Sequence, residues 1–325
     1  MAVVKANAYG HEQYLIAPTL FEEGCRHFGV TDATEGSELR AIIGESDTTE
    51  ITLLSGLFDE EDAELCIDHK LTPVITEPYQ IKQLTAASFS GSSWLKFDSG
   101  MNRLGAADPA TLFAEATEAG LQVCGFMSHL ACADETAHPM NLAQANSFLD
   151  ICNSISPDTP KSLLNSAGLL ALPEHTFECI RPGIALYGAE PVADQPMGLK
   201  PVMSLTGEVM QIREIQAGDC VSYGASFKAE KRTKIAVVGI GYADGVPRSL
   251  SNLGRVYIRG QHYPIVGRIC MDYAMIDVSN STIQKGDKVE FWGEHISANE
   301  VAAAIDTISY TLFTGVGERV RRKAI

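Results

Sequence analysis

Short apolar runs recur along the amino-terminal part of the chain, with amphipathic stretches of helical spacing between them. The stretches of helical spacing include residues 14–23, 35–43, 59–68, 109–119 and 140–152. Apolar strands that alternate with helices are typical of βαβ units and of a parallel sheet buried on both faces. Eight runs favour a closed (β/α)8 barrel over an open sheet, and they lie at 2–5, 27–31, 51–55, 72–76, 94–98, 123–128, 161–165 and 179–185.

The pattern changes after the turn-rich stretch 188–201, which has no clear periodicity. The segments that follow are short, rich in β-branched and aromatic residues, and punctuated by Gly, Asp and Asn, as antiparallel strands are. One helix is predicted near the carboxyl terminus, over residues 298–306. The sequence therefore predicts an α/β chain with a TIM barrel over residues 1–195 and a mainly antiparallel β domain over residues 196–325.

Composition narrows the class of protein. The 325 residues are 45% hydrophobic and carry a formal net charge of −16, which argues against a nucleic-acid or anionic-membrane partner. The eight cysteines include no C-x-x-C pair, so we expect a reduced, cytoplasmic protein without a disulfide framework or a zinc site. The amino-terminal segment lacks the pattern of a signal peptide. It reads instead as if the chain started at an internal methionine within a buried strand.

Polar residues fall where the predicted barrel strands end, which is where barrel enzymes place their active sites. Lysine, histidine, asparagine, serine and arginine side chains are predicted to converge on this rim, followed by glycine and isoleucine backbone in the last strand. The residues are Lys5, Lys96, Asp98, Arg103, His129, Asn165, Ser166, Arg181, Gly183 and Ile184. This pattern indicates a site for a polar ligand.

Each of these residues also has a simpler interpretation. Lys5 is either a strand-end residue whose amine reaches solvent or a Schiff-base lysine with a pKa lowered by burial. Lys96 either pairs with Asp98 or supports the site. Asn165 and Ser166 either cap a helix or bind a phosphate.

The histidine and the two arginines at the rim also have simpler interpretations. His129 alone fits a structural histidine, and Arg103 and Arg181 each fit an ordinary surface arginine. Two arginines on one rim, however, favour recognition of an anion or of a ring nitrogen.

Long motifs resemble one known family. AVVKANAYGH resembles the pyridoxal-phosphate attachment segment of alanine racemases. The segments LKFDSGMNRLG, SHLACADE, NSAG, RPGIALYG, VSYGASF, GIGYADGVPR and IVGRICMDYAMIDV resemble further blocks of that family, in its order. The resemblance covers nearly the whole chain and implies a barrel that binds pyridoxal 5'-phosphate, followed by a β domain.

The resemblance implies roles for the reacting groups. Lys5 would bind the cofactor covalently and exchange the α-proton on the D-amino-acid face, and Tyr223 would be the base for the L-enantiomer. That tyrosine comes from a second subunit in the family, which implies a homodimer. Arg103 would contact the cofactor's phenolic oxygen and the substrate carboxylate, Met271 would offer a backbone N–H to the same carboxylate, and Tyr242 would line the entrance. The implied reaction interconverts L- and D-alanine and supplies D-alanine for peptidoglycan.

The resemblance also implies how the cofactor is held. The phosphate would be bound by Tyr9, Ser166, Gly183 and Ile184, with Asn165 beside them. Arg181 would face the pyridine nitrogen, and His129 would link it towards Tyr223. Lys96 matches a lysine that is carbamylated in some members.

The chain departs from the family pattern at three places. Members carry a helix and a strand before the lysine segment that this sequence does not show. Glu12 replaces the second glycine of a G-H-G segment, which affects a turn. Glu318 and Arg321 stand where some members have tyrosine and proline. These differences bear on stability, cofactor binding and substrate preference.

Other functions are compatible with this architecture. A racemase of serine or of several amino acids, an amino-acid decarboxylase of the same fold, and a non-catalytic pyridoxal-phosphate carrier are the alternatives. Arg181 opposes the decarboxylase, for which a carboxylate opposite the ring nitrogen is expected. The β domain and Tyr223 oppose the carrier, which resembles the barrel alone.

Overall fold

The computed structural model describes residues 1–45 and 48–325, and the chain divides into two compact units. The first unit comprises Met1–Leu186 and Pro191–Met197, and the second comprises Tyr187–Glu190 and Gly198–Ile325. The turn-rich stretch 188–201 therefore contains two of the three points at which the chain passes between the units, and the first point, between Leu186 and Tyr187, lies just before it.

The first unit is built on a parallel sheet whose strands pair in sequence order. Adjacent strands pair in parallel, as between Ala2 and Phe28 in the first pair, and one pair has a register shift between Ser93 and Trp94. The strands are β1 (Ala2–Val3), β2 (His27–Val30), β3 (Glu50–Leu53), β4 (Thr72–Ile75), β5 (Ser92–Lys96), β6 (Gln122–Met127) and β7 (Lys161–Ser162). Their apolar side chains are buried, as expected for a sheet covered on both faces.

The predicted eighth strand, residues 179–185, differs from the prediction. It pairs through one parallel bridge between Asn165 and Arg181, and the Val3 N–H donates to the Pro182 carbonyl at 3.0 Å. This segment thus closes the sheet between β7 and β1, as a TIM-like barrel requires. It does not extend into a regular strand, because Pro182 has no N–H to donate and a 3₁₀ turn begins at Ile184.

Helices connect the barrel strands and lie close to the predicted positions. Asp32, Asp59 and Asp108 each accept an N–H three residues further on and so begin three of the helices. The helices are α1 (Lys5–Tyr9), α2 (Gln13–Glu22), α3 (Ala33–Ile43), α4 (Glu60–Asp68), α5 (Pro78–Ala86), α6 (Pro109–Glu118), α7 (Pro139–Ile155) and α8 (Gly168–Ala171). Within the described ranges, no helix has the length and apolar character needed to cross a membrane.

The second unit is mainly antiparallel, as predicted. Its strands are β8 (Leu205–Ile215), β9 (Cys220–Val221), β10 (Phe227–Lys228), β11 (Thr233–Val238), β12 (Arg255–Ile258), β13 (Gln261–Pro264), β14 (Ala274–Asp277) and β15 (Lys288–Trp292). The long strand β8 lies at the centre of a sheet with the order β13-β12-β15-β8-β11-β14. Helices α9 (Ala298–Ala303) and α10 (Ser309–Thr314) follow, and α9 covers the first part of the helix predicted over 298–306. The α/β barrel followed by an antiparallel β domain is thereby confirmed.

Candidate active site

The carboxyl ends of the barrel strands carry the rim residues predicted from the sequence. Lys5 lies two residues beyond β1, Lys96 ends β5, and His129 lies two residues beyond β6. Burial lowers the pKa of Lys96 to about 7, with further lowering by Arg181, Arg103 and Lys5. Because all three cations act on one amine, these side chains share one electrostatic environment.

Lys5 begins a left-handed helical turn. The φ angles of Ala6, Asn7, Ala8 and Tyr9 are 52°, 53°, 53° and 52°, and the Gly10 N–H donates to the Ala6 carbonyl at 2.9 Å. A left-handed backbone costs about 1–2 kcal/mol for each L-residue, so such a turn persists only with support from its surroundings.

Side chains supply that support. Asn7 Oδ1 accepts the Gln13 N–H at 2.8 Å, and the buried Gln13 amide donates to the Val4 carbonyl at 3.4 Å. Glu35 accepts the Ala6 N–H at 2.6 Å. Glu12 follows the turn with φ 73° and ψ 112°, a conformation that favours glycine. The replacement of the family's glycine therefore falls on a strained residue.

The pKa values of the two rim lysines, Lys5 and Lys96, are lower than the ordinary lysine value. Burial, followed by the Arg103 charge, lowers the pKa of Lys5, whereas Glu35 raises it. Burial and the nearby cations lower the pKa of Lys96 to about 7. A lysine with a lowered pKa has a larger fraction of neutral amine at pH 7, and the neutral amine is the nucleophile that attacks carbonyl groups.

Arg181 is buried at the centre of a polar network. Its guanidinium donates to the Ser162 hydroxyl and to the carbonyl oxygens of Ser128 and Leu163, and burial lowers its pKa to about 10. An arginine held by neutral acceptors keeps its positive charge in the barrel interior.

His129 lies between two donors. Its Nδ1 is 3.2 Å from an Arg181 nitrogen, and its Nε2 is 3.4 Å from the Asn165 Nδ2. Burial, followed by the Arg181 charge, lowers the pKa of His129 well below its usual value. An imidazolium would present a donor to each of these donors, so both the contacts and the charges favour the neutral ring.

The residues predicted to hold a phosphate meet beside Arg181. Ser166 Oγ accepts the Gly183 N–H at 2.9 Å and the Ala185 N–H at 3.3 Å. A Cβ on Gly183 would lie 2.4 Å from the Tyr9 hydroxyl oxygen, so this glycine lets the tyrosine approach the backbone. Ile184 is buried and opens the 3₁₀ turn Ile184–Tyr187.

Arg103 belongs to a loop with a defined shape. Asp98 Oδ1 accepts the N–H groups of Gly100 and Asn102 at 2.8 and 3.2 Å. Asp98 therefore organises the loop, and it also raises the pKa of Lys96 as the smallest of the effects on that amine. The arginine side chain is exposed while its charge acts on Lys5, Lys96 and His129.

The second unit carries the other three residues on loops that adjoin one another. The Tyr242 N–H donates to the Cys270 carbonyl at 3.0 Å, and Ser222 Oγ lies 3.4 Å from Cys270 Sγ. The exposed fractions are 72% for Tyr223, 43% for Tyr242 and 53% for Met271. Three large exposed side chains thus gather on one face of this unit.

Arg319 links two of these loops through ion pairs, and no sequence motif predicts this role. Its Nε lies 2.7 Å from Asp244 Oδ1, and its Nη2 lies 2.7 Å from Asp272 Oδ1. Asp244 follows Tyr242 by two residues, and Asp272 follows Met271. Nothing in the sequence marks this arginine, because its two partners are far away along the chain.

Glu35 was also not found as a site residue. The spacing of Asp32 and Glu35 is that of a helix start with a capping residue, and Asp32 does accept the Glu35 N–H at 3.0 Å. That signal predicts the beginning of α3 and gives no indication of the contact with the Lys5 turn.

Comparison with known proteins agrees with this geometry. The model of the alanine racemase N-terminal domain matches residues 1–191, and that of the alanine racemase C-terminal domain matches residues 202–324. An alanine racemase of Vesicomyosocius okutanii subsp. Calyptogena okutanii (strain HA) is 37% identical over 326 residues, which cover 98% of this chain and 90% of that protein.

Solved structures agree as well. The crystal structure of biosynthetic alanine racemase from Pseudomonas aeruginosa has a TM-score of 0.92 at 38% identity and covers 99% of this chain and 91% of its own. Alanine racemase from Bartonella henselae with covalently bound pyridoxal phosphate has a TM-score of 0.92 at 33% identity, with coverages of 100% and 92%. These matches define an amino-acid racemase, an enzyme of the isomerase class. The chain belongs to the alanine racemase family.

Proposed function

We propose that the chain interconverts L- and D-alanine with pyridoxal 5'-phosphate bound at the barrel rim. The observation that carries this proposal is Lys5, an amine with a lowered pKa that lies in one electrostatic environment with Lys96, Arg103 and Arg181. A covalent cofactor in the Bartonella henselae structure supports the same cofactor here.

The donors at the rim fit a cofactor with a phosphate, a carbonyl group and a ring nitrogen. The Tyr9 hydroxyl beside the Gly183 backbone forms a cradle that a Cβ would fill, and Ser166 lies at the same point. We assign the phosphate to Tyr9, Ser166, Gly183 and Ile184, with Asn165 beside them, the carbonyl carbon to Lys5 and the ring nitrogen to Arg181. Once bound, the cofactor supplies the electron sink for breaking the substrate's α C–H bond.

Arg181 controls the ring nitrogen in this proposal. Its charge is held by the Ser162 hydroxyl and by backbone carbonyls, so it can donate to the nitrogen and disfavours its protonation. By keeping that nitrogen unprotonated, Arg181 would restrict side reactions and leave return of the proton as the main outcome. His129 stays neutral between Arg181 and Asn165 and keeps the guanidinium oriented.

Racemisation requires one base on each face of the substrate. We assign Lys5 to the D face and Tyr223 to the L face. Arg103, whose charge already acts at the rim, would bind the substrate carboxylate and the cofactor's phenolic oxygen. Met271 would donate its backbone N–H to that carboxylate, and Tyr242 would line the entrance.

A second copy of the chain completes the site in this proposal. Tyr223, Tyr242 and Met271 form a cluster of exposed large side chains on neighbouring loops, and exposed apolar patches commonly mark interfaces between proteins. We propose a homodimer in which Tyr223 of each copy serves the barrel of the other.

The proposed setting of the reaction is the cytoplasm, with D-alanine supplied for peptidoglycan. All eight cysteines are free thiols, which is typical of a reducing compartment. The pKa of about 7 for Lys96 leaves part of this amine neutral, which is the form that adds carbon dioxide, so we also propose carbamylation of Lys96.

Two variants test the proposal. Lys5→Ala removes the amine that would bind the cofactor, so we expect no covalent adduct after borohydride reduction and no racemisation of alanine. Tyr223→Phe keeps the adduct but slows racemisation by about two to four orders of magnitude, as expected for loss of a catalytic base. Mass spectrometry of the Lys5 peptide and polarimetry measure the two effects.

Lys82→Ala is the matched control, because Lys82 is an exposed lysine on helix α5 of the barrel. This variant should keep the adduct and full activity. A covalent adduct that persists in Lys5→Ala, or full activity in Tyr223→Phe, would contradict the assignment.

A further inference from the structure

Glu35 connects the turn that carries Lys5 to the neighbouring barrel strand. Its Oε1 accepts the N–H of Ala6, the residue after Lys5, at 2.6 Å. Its Oε2 accepts the N–H of Thr31, the residue after β2, at 2.7 Å. One carboxylate therefore holds the carboxyl ends of β1 and β2 through two charge-assisted hydrogen bonds, which are stronger than neutral ones.

The position of Glu35 is itself fixed. Asp32 begins helix α3 and accepts the Glu35 N–H at 3.0 Å, so the backbone of Glu35 is held within the first helical turn. The Ala6 N–H lies at the start of the left-handed turn, where the helical pattern gives it no carbonyl partner. Glu35 provides that partner at the residue from which the strained backbone proceeds.

We infer that Glu35 is a positioning residue for the reactive lysine: its carboxylate holds the left-handed turn in place and offsets the positive charge of the rim. This inference rests on the proposed role of Lys5. A left-handed turn of four residues has an intrinsic cost. The hydrogen bond from Ala6 to Glu35 stabilises the observed turn, and the hydrogen bond from Thr31 fixes the carboxylate beside β2.

The charged groups that act on Lys5 show how the Glu35 carboxylate offsets the positive charge of the rim. Arg103 lowers the pKa of Lys5, and Glu35 raises it, while Lys96 and His129 share the rim. Helix α1 packs against α2, α3 and β2, and Glu35 is the group from these elements that raises the pKa. The other titratable groups on α1, α2, α3 and β2 are Tyr9, Tyr14, Glu22, His27, Glu38 and Arg40.

The test compares Glu35→Gln with Glu38→Gln. Glu38 is exposed on the same helix, so both variants lose one carboxylate of α3. Competitive labelling of the cofactor-free protein with acetic anhydride, followed by mass spectrometry of the Lys5 peptide, gives the pH at which half of Lys5 is reactive. We expect this midpoint to fall on the order of 0.5 pH unit in Glu35→Gln and to stay unchanged in Glu38→Gln.

Glu35→Asp separates charge from reach. Aspartate keeps the negative charge but is one methylene shorter, so it cannot span both N–H groups. We expect a midpoint close to that of wild type together with a several-fold slower uptake of pyridoxal phosphate. This variant also keeps the test open if Glu35→Gln fails to fold.

Two results would overturn the inference: equal Lys5 midpoints in wild type and Glu35→Gln, or unchanged cofactor uptake in Glu35→Asp. Labelling of Lys5 needs neither cofactor nor turnover. A failure of the proposed function, seen as absence of an adduct in wild type, is therefore distinguishable from a failure of this inference.

Discussion

The barrel rim and the three exposed loops of the second unit are built differently. At the rim, Arg181 and His129 are held by several hydrogen bonds from their own unit, and burial shifts the pKa values of Lys96 and His129. In the second unit, Tyr223 is 72% exposed. The barrel thus arranges the proposed cofactor site with its own buried residues, whereas Tyr223, Tyr242 and Met271, the second-unit residues that we assign to substrate handling, have exposed side chains.

The nature of the support differs too. At the rim, charges and strained backbone are held by buried polar groups, so a single change disturbs several neighbours at once. On the loops, backbone hydrogen bonds and one exposed arginine keep Tyr242 and Met271 near each other. We therefore expect rim variants to affect cofactor binding, and loop variants to affect mainly the handling of substrate.

Arg319→Ala tests the role of the loops in substrate handling and has the larger expected effect. Without the guanidinium, Asp244 and Asp272 repel each other and the loops of Tyr242 and Met271 lose their link. We expect KM for alanine to rise about threefold to tenfold, with a smaller fall in kcat and unchanged cofactor content. Steady-state racemisation from L- and D-alanine measures the change.

The control for that variant is Arg232→Ala, which removes another exposed arginine–carboxylate pair, Arg232 with Glu214, from the second unit. Its kinetic constants should equal those of wild type, and Arg319→Lys should restore part of the lost affinity. Loss of bound cofactor in Arg319→Ala would contradict the expectation that this loop variant changes the handling of substrate and leaves cofactor binding intact.

Glu12→Gly tests the backbone strain at residue 12, next to the rim, and its expected effect is smaller than that of Arg319→Ala. Glu12 has φ 73° and ψ 112°, and glycine adopts such angles without a steric cost. Relief of the strain, less the greater freedom of glycine in the unfolded chain, should raise the free energy of unfolding by about 1 kcal/mol. The midpoint of urea-induced unfolding measures it.

Glu12→Ala is the matched control, since it removes the carboxylate but keeps the Cβ that causes the strain. We expect no stabilisation in this variant. If alanine stabilises the chain as much as glycine does, the benefit comes from loss of the side chain and not from the backbone.

Much of the fold followed from the sequence because barrel strands and helices have distinct periodicities. The eighth strand differed most, since its apolar run 179–185 contains Pro182, which ends the ladder. Strands β1 and β7 are also shorter than the predicted runs 2–5 and 161–165. The left-handed turn after Lys5 was not predictable either. Ala6 and Ala8 have no preference for such a backbone, and the groups that hold it, Gln13 and Glu35, act through tertiary contacts.

The placement of the rim residues was predictable where a motif and a strand end coincided. Asn165 shows that alternatives can coexist, because its Oδ1 accepts the Gly168 N–H at 2.8 Å as a helix cap while its amide faces His129. Asp98 accepts backbone N–H groups of its own loop, and its charge also acts on Lys96. Asp244 and Arg319 lie 75 positions apart, a separation that no local pattern reveals.

Mixing two inactive variants tests directly whether Tyr223 of one copy completes the barrel site of another. Lys5→Ala and Tyr223→Phe chains are unfolded together, refolded in equal amounts and assayed for racemisation of alanine. Each mixed dimer then has one barrel with Lys5 that is served by an intact Tyr223. We expect recovery to about a quarter of wild-type activity, because half of randomly paired dimers are mixed and each has one intact site. A mixture no more active than its separate components would contradict it.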